Sequence, residues 1–242
     1  FEDYPPALWQ ALVHAGCARY RNFLVKDCLP HILALAQRLK KGARFANFCC
    51  GTGRSTIELA KIFPGLAFIG DNAFLPNIQQ ADINAKVAGV DRNITFKHWN
   101  MEESSPGQYD IVATFDLIHV LPNPALSLKT LKQSMAKDGM FLLMDNEATE
   151  DPVDNSGPYG AFKLGISLHF YMTTSMWQGG EGIGTEGLSD SVLRNLCEEA
   201  GFSEVGKIGI KHPLNSLCFI SQKIGGWAGT AHRLIKQNSA PQ

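Results

Sequence analysis

Two glycines set two places apart after an apolar run carry the clearest chemical implication in the chain. Arg44-Phe45-Ala46-Asn47-Phe48-Cys49-Cys50 gives way to Gly51-Thr52-Gly53, and Arg54-Ser55-Thr56-Ile57-Glu58-Leu59-Ala60 restarts as a helix. Glycine adopts backbone angles closed to other residues and lets a ligand approach the main chain. The unpaired amides at a helix start then face that ligand. Ser55 and Glu58 have the spacing of a capping box, which predicts that the helix begins there. The plain alternative is an ordinary glycine turn between strand and helix. His119 is the second chemical candidate, because imidazole titrates near neutral pH and can take a proton from a hydroxyl or amine. Its plain alternative is a histidine bonded to backbone in the loop before Pro122. His169 and Tyr171 fit a pocket wall or a half-buried helix face equally well. No Ser/His/Asp or paired-carboxylate arrangement can be read from spacing. The six cysteines, at 17, 28, 49, 50, 197 and 218, include no Cys-x-x-Cys, so no metal site is expected and reduced thiols are. Gly182-Ile183-Gly184-Thr185-Glu186-Gly187 formally fits Gly-x-Gly-x-x-Gly, yet no strand precedes it. A flexible lid beside Trp177 is the better reading.

The elements that must position these residues alternate. The first 40 residues read as helical, with Ile32, Leu33, Leu35, Ala36 and Leu39 apolar before Gly42 as a C-cap. Strands are predicted at 44–49, 66–70, 94–99, 109–115 and 139–145. Helices are predicted to about Phe63, over 76–88 with Gly89 closing, and over 124–136. The pattern weakens at 146–165 into an acidic Pro- and Gly-containing loop. Ser189 caps a helix with Val192, Leu193, Leu196, Cys197 and Ala200 on one face, and Gly201 ends it. Strands near 205–210 and 216–222 follow, with Asn215 in the turn before the last. Strands alternating with helices at this spacing mean an α/β fold, a doubly wound and mostly parallel sheet. The expected divisions are an N-terminal helical extension over 1–29, the main domain over 30–223 and a tail over 224–242.

At 242 residues and 45% hydrophobic composition the chain can bury one sizeable core. A formal net charge of -1 with no long basic run argues against nucleic acid as a partner. No apolar stretch reaches the roughly 18 residues of a membrane span, and Phe1-Glu2-Asp3-Tyr4-Pro5-Pro6 is unlike a signal peptide. A soluble, cytoplasmic protein without a membrane partner is the expectation. Beginning without Met is what a domain cut from a longer protein would show.

Taken in order, the segments resemble the class I S-adenosylmethionine-dependent methyltransferases, in particular their small-molecule branch. The matching pieces are Cys50-Gly51-Thr52-Gly53, an acid after the second strand, Asn100-Met101-Glu102 after the third, Phe115-Asp116-Leu117-Ile118-His119-Val120-Leu121-Pro122-Asn123-Pro124 after the fourth, and Ala200-Gly201-Phe202. The resemblance covers about residues 30–223. The segment from Ser167-Leu168-His169 to Gly184 looks like a subgroup whose methyltransferase domain follows an N-terminal winged-helix or dimerisation domain, which leaves room for a homodimer. The resemblance implies a Rossmann-like fold, S-adenosylmethionine as cofactor with S-adenosylhomocysteine as product, and a small-molecule methyl acceptor. It implies that Gly51, Thr52 and Gly53 wrap the methionine part, Asp71 or Asn72 the ribose, and Asn100 with Met101 the adenine. Phe115 would close the near side, and His119 would stand where the methyl group emerges, as the candidate catalytic residue.

Three positions depart from the family's pattern. Members usually carry an acid at position 47, a glycine at 49 and an acid at 100, where this chain has Asn47, Cys49 and Asn100. A carboxylate accepts two hydrogen bonds at once, whereas an amide offers one acceptor and one donor group. Asp71 is the better chemical candidate for the ribose, but neighbours on a strand face opposite ways, so only one of Asp71 and Asn72 can serve. The departures leave open a second reading, a binding or regulatory module that keeps the fold without turnover. A nicotinamide oxidoreductase lacks its third glycine, since Thr56 stands there.

Overall fold

The computed structural model describes residues 5–28, 42–101, 107–184, 187–208, 212 and 215–221. Helix α1 (Pro6–Arg19) opens on Pro6, whose fixed φ suits a first turn, and runs into a π-helical segment, Tyr20–Cys28. Then follow β1 (Arg44–Asn47), α2 (Arg54–Ile62), β2 (Ala67–Asn72), α3 (Leu75–Ala88) and β3 (Ile94–His98). The chain continues through β4 (Tyr109–Phe115), a 3-10 turn (Ile118–Val120), α4 (Pro124–Gln133) and β5 (Met135–Asn146). After a second 3-10 turn (Pro152–Asn155) come α5 (Gly157–Ile166), a π-helical turn (Ser167–Tyr171) and α6 (Met172–Trp177). Helix α7 (Asp190–Glu199), β6 (Glu204–Ile208) and β7 (Asn215–Ser221) complete it.

The seven strands hydrogen-bond in the order β3-β2-β1-β4-β5-β7-β6. Parallel pairing joins β1 to β2 and β4, and β2 to β3; parallel neighbours need a crossover, and α2 supplies it from β1 to β2 and α3 from β2 to β3. β7 runs antiparallel to both β5 and β6. The expected doubly wound, mostly parallel sheet is what the chain forms. The order reverses between β1 and β4, where Asn47 stands opposite Ala113, and such a switch point is where open sheets bind ligands.

Two compact units divide the chain, residues 1–103 with 109–113 and residues 104–108 with 114–242. In the first, Phe45, Phe68, Tyr109 and Val112 are buried from the strands, Phe48 from the turn after β1, and Ile57, Leu59 and Ala81 from the helices. Phe48 meets Trp99 and Tyr109 edge to face at 5.4 and 6.1 Å. In the second, the core runs along β5 (Met140 to Met144), with Leu128, Leu131, Leu193, Cys197 and Phe202 upon it.

Several expectations are corrected. Ser55 and Glu58 form no capping box: α2 follows Gly53, in the left-handed region at φ 76, without a side-chain cap. Ser55 instead turns inward to Asn47, and Glu58 outward to Arg21 and Lys61. Strand β1 stops at Asn47 because Cys49 is left-handed, at φ 52, so Cys49 and Cys50 lie in a half-buried turn and not in a strand end. Helix α4 ends at Gln133 and not at 136, its last turn closed by the Ser134 hydroxyl donating to the Thr130 carbonyl, and β5 starts at Met135. The loop expected at 146–165 holds a 3-10 turn capped by Asp151 and the whole of α5 save Ile166. Gly157 at φ 87 and Pro158 there start a helix instead of breaking one. Asn215 pairs with Asn146 as the first residue of β7, not in a turn. Ser189 caps α7 through Val192, and Gly201 leaves it at φ 82, as predicted. The expected helical run through Leu39, Glu102, Thr185 and Glu186, the strand ends at 209–210 and 222, and the tail over 224–242 lie outside the described residues. Among the described residues, no helix is long and apolar enough to cross a membrane.

Candidate functional site

The first unit gathers its polar groups where β1 and β2 end. Cys49, Gly51 and Gly53 all take positive φ, so the chain after Phe48 winds tightly into α2. A side chain at Gly51 would meet nothing within 4 Å, whereas one at Gly53 would strike the Phe96 ring at 2.5 Å. Gly51 thus borders open space and Gly53 is small for packing against β3. The Thr52 carbonyl accepts from the Asn84 amide of α3 at 2.9 Å. Asn47 donates to Ser55 Oγ at 2.9 Å and to Thr56 Oγ1 at 2.8 Å, while its own Oδ1 is buried with no partner. Asp71 is buried, its Oδ1 accepting the Cys49 N–H at 3.0 Å and its carbonyl the Cys50 N–H at 2.7 Å. Burial raises the Asp71 carboxyl from 3.8 to about 8, against the lowering effect of the Cys49 N–H. The same burial pushes both turn thiols up, with Asp71 adding to it, so neither is a ready nucleophile. Asn72 is half-buried at the end of β2 and accepts from Phe74 N at 2.9 Å and Asn77 Nδ2 at 3.3 Å. Beyond β3, Asn100 is exposed and Met101 buried.

The second unit holds a buried network that the sequence did not disclose. His119 sits in the 3-10 turn after β4 with its side chain fully enclosed. Its Nδ1 donates to Asp145 Oδ1 at the end of β5, and its Nε2 faces Asn146 Nδ2 at 3.0 Å. Asp145 also accepts from the N–H groups of Ile118 and Asn146, each at 2.7 Å. Both ring nitrogens thus have a buried side-chain partner. Tyr171, half-buried in the π-helical turn, meets the His119 ring edge-on at 4.3 Å, while His169 is exposed. The backbone bond considered for His119 is thus replaced by two side-chain partners. Asp145 and Asn146 are separated from His119 by 26 and 27 residues, so only the sheet order brings them there. An acid at the carboxyl end of a central strand was the available signal. In the segment read as a lid, a Cβ on Gly184 would lie 2.3 Å from His119 Cα and one on Gly187 2.9 Å from the Asn146 carbonyl oxygen, so both glycines are packed down; just before it, a Cβ on Gly180 would lie 2.4 Å from Pro122 Cα. Phe115 is buried at the end of β4.

The family described as a methyltransferase domain matches residues 18–205. The chain belongs to that family. No curated protein is significantly similar to it in sequence. Among solved structures, this methyltransferase domain is similar to PigF with SAH, at TM-score 0.62 and 21% identity over 85% of this chain and 58% of that one. A putative O-methyltransferase from Nostoc punctiforme PCC 73102 matches at TM-score 0.60 and 16% identity, over 84% and 59%. The S-adenosylmethionine-dependent methyltransferase SibL, in its apo form, matches at TM-score 0.60 and 18% identity, over 84% and 57%. At these identities the likeness is one of fold, and the chain spans rather under two thirds of each structure's length. The expected class I methyltransferase fold is present.

Proposed function

We propose that the domain transfers a methyl group from S-adenosylmethionine to a small-molecule acceptor. The observation that carries this reading is the turn after β1: three left-handed residues, Cys49, Gly51 and Gly53, with open space over Gly51 at the sheet's switch point. The residues fit such a cofactor by their donors and acceptors. The orphaned, buried Asn47 Oδ1 can accept from an ammonium, and the turn amides can meet a carboxylate. Gly51, Thr52 and Gly53 would hold the amino-acid end, Asn72 or Asp71 the ribose, and Asn100 with Met101 the adenine. When bound, S-adenosylmethionine supplies a methyl group activated by a sulfonium. The protein then needs to orient the acceptor, keep water out and receive a proton. His119 would receive it at Nε2, with Asp145 holding Nδ1–H and stabilising the imidazolium. Among the neighbours, an O-methyltransferase family 2 protein from Planctomyces limnophilus was solved with apigenin, which supports a small-molecule acceptor here.

S-adenosylhomocysteine should raise the melting temperature and NAD should not, since a ligand that binds only the folded state stabilises it by mass action. No shift at millimolar concentration would end the reading. A second reading, a binding module without turnover, is favoured by Asn146 covering His119 Nε2 and by amides at 47, 72 and 100. A thermal shift with S-adenosylhomocysteine, but no methyl transfer to any of a panel of phenols, amines and thiols by mass spectrometry, would favour it.

A further inference from the structure

Cys49 occupies a backbone conformation that suits glycine. At φ 52 its Cβ crowds the following carbonyl, a conformation that costs an L-residue free energy and glycine none. It stays there because the next strand grips it on both sides. Asp71 Oδ1 accepts the Cys49 N–H at 3.0 Å, and the Asp71 carbonyl accepts the Cys50 N–H at 2.7 Å. One residue of β2 therefore binds two successive amides of the turn, one through its side chain and one through its backbone. Asp71 is 2% exposed, so the carboxyl is enclosed by the protein on which it acts. Asn72, next along the strand, is half-buried; its side-chain oxygen accepts from the start of α3 and its carbonyl from the Trp99 N–H at 3.2 Å.

We propose that Asp71 is a positioning residue: it clamps the Cys49 amide, holds the turn in its left-handed form and so presents Gly51 and Gly53 for binding, while Asn72 is left to face the ligand. The clamp and the cysteine form a compensating pair, a strained residue and the acceptor that keeps it strained. A carboxylate that touched ribose directly would have no such dependence on residue 49.

The test is a double-mutant cycle on the full chain: wild type, Cys49→Gly, Asp71→Ala and Asp71→Ala with Cys49→Gly, with Asp71→Asn as the conservative variant. Melting temperatures are read without ligand, and dissociation constants for S-adenosylhomocysteine by calorimetry. Asp71→Ala should lower the melting temperature by about 2–12 °C, the range for leaving a buried amide without its acceptor in a chain of this size. It should weaken binding about tenfold or more. Cys49→Gly should recover at least half of both losses, because glycine holds the left-handed turn unaided. Asp71→Asn keeps an acceptor oxygen and should bind within about threefold of wild type. Equal effects of Cys49→Gly in the two Asp71 backgrounds, or equal losses for Asp71→Ala and Asp71→Asn, overturn the clamp. Should Asp71→Ala fail to fold, recovery of folded protein by Cys49→Gly is the supporting result, and its absence overturns the proposal. The binding readout rests on the cofactor reading above. The ligand-free cycle does not, so a coupled cycle with no S-adenosylhomocysteine binding would sink the cofactor and keep the clamp.

Discussion

His119 illustrates how much a single side chain's role depends on partners remote in sequence. Asp145 orients the ring through Nδ1, and the Asn146 amide can serve the ring in both protonation states. It donates to Nε2 when the imidazole is neutral and, turned over, accepts from Nε2–H once a proton has arrived. If His119 is the base, His119→Ala should cut turnover about 100-fold or more with cofactor affinity nearly unchanged, checked by steady-state kinetics and calorimetry. Near-normal turnover in the variant would remove His119 from the chemistry. Asp145→Asn should be costly in either case, by about 2–4 kcal/mol in urea denaturation, because it strips charge-assisted bonds from a buried site. At this scale the sequence pointed to His119 and to the glycine turn, since each sits in a local pattern. It showed Asp145 only as an acid at a strand end and gave no sign of its tie to His119, which Asp145 and Asn146 reach through the pairing of strands.

Elements were legible where their punctuation was local. Gly89 and Gly201 end helices, and Ser189 starts one, through bonds made within a few residues. Legibility failed where the same residues carry two meanings. Gly157-Pro158 looks like a loop and starts α5, and the glycines at 184 and 187 look like a mobile lid and are small because backbone lies against them. Ser175 Oγ, donating to the Leu121 carbonyl at 3.2 Å, ties α6 to the same turn. Gly184→Ala would place a methyl 2.3 Å from His119 Cα, where the obstacle is backbone and cannot swing aside. The segment over 178–184 should then lift from residues 119–122. Amide hydrogen exchange should speed up over both stretches and remain slow in α7, whose cap and core contacts are untouched. Unchanged protection at 178–184 would mean that the segment already moves freely.

At the scale of the whole molecule, near-neutral charge and amides at 47, 72 and 100 leave Asp71 as the group of the candidate site whose titration should register in stability. The groups that face it are Cys49 and Cys50 in the turn and Tyr109 on β4. Tyr109 has the Arg44 guanidinium 4.7 Å over its ring, and Lys97, opposite Asp71 on β3, is exposed. The fold raises the Asp71 carboxyl from 3.8 to about 8, chiefly by burial, so between those values the folded chain holds a proton that the unfolded chain has lost. Stability tied to a group bound more tightly to its proton in the folded state falls as pH rises. This contribution is therefore greatest below about pH 4, declines through the neutral range and levels off once pH passes about 8. Asp71→Asn removes the titration and keeps an acceptor for the Cys49 amide. Urea denaturation from pH 5 to 9 should show stability dropping in wild type relative to Asp71→Asn across the lower part of that range, with the difference flat above about pH 8. Parallel curves for the two proteins would show that Asp71 is ionised throughout, its burial offset by water or by a partner that approaches in solution.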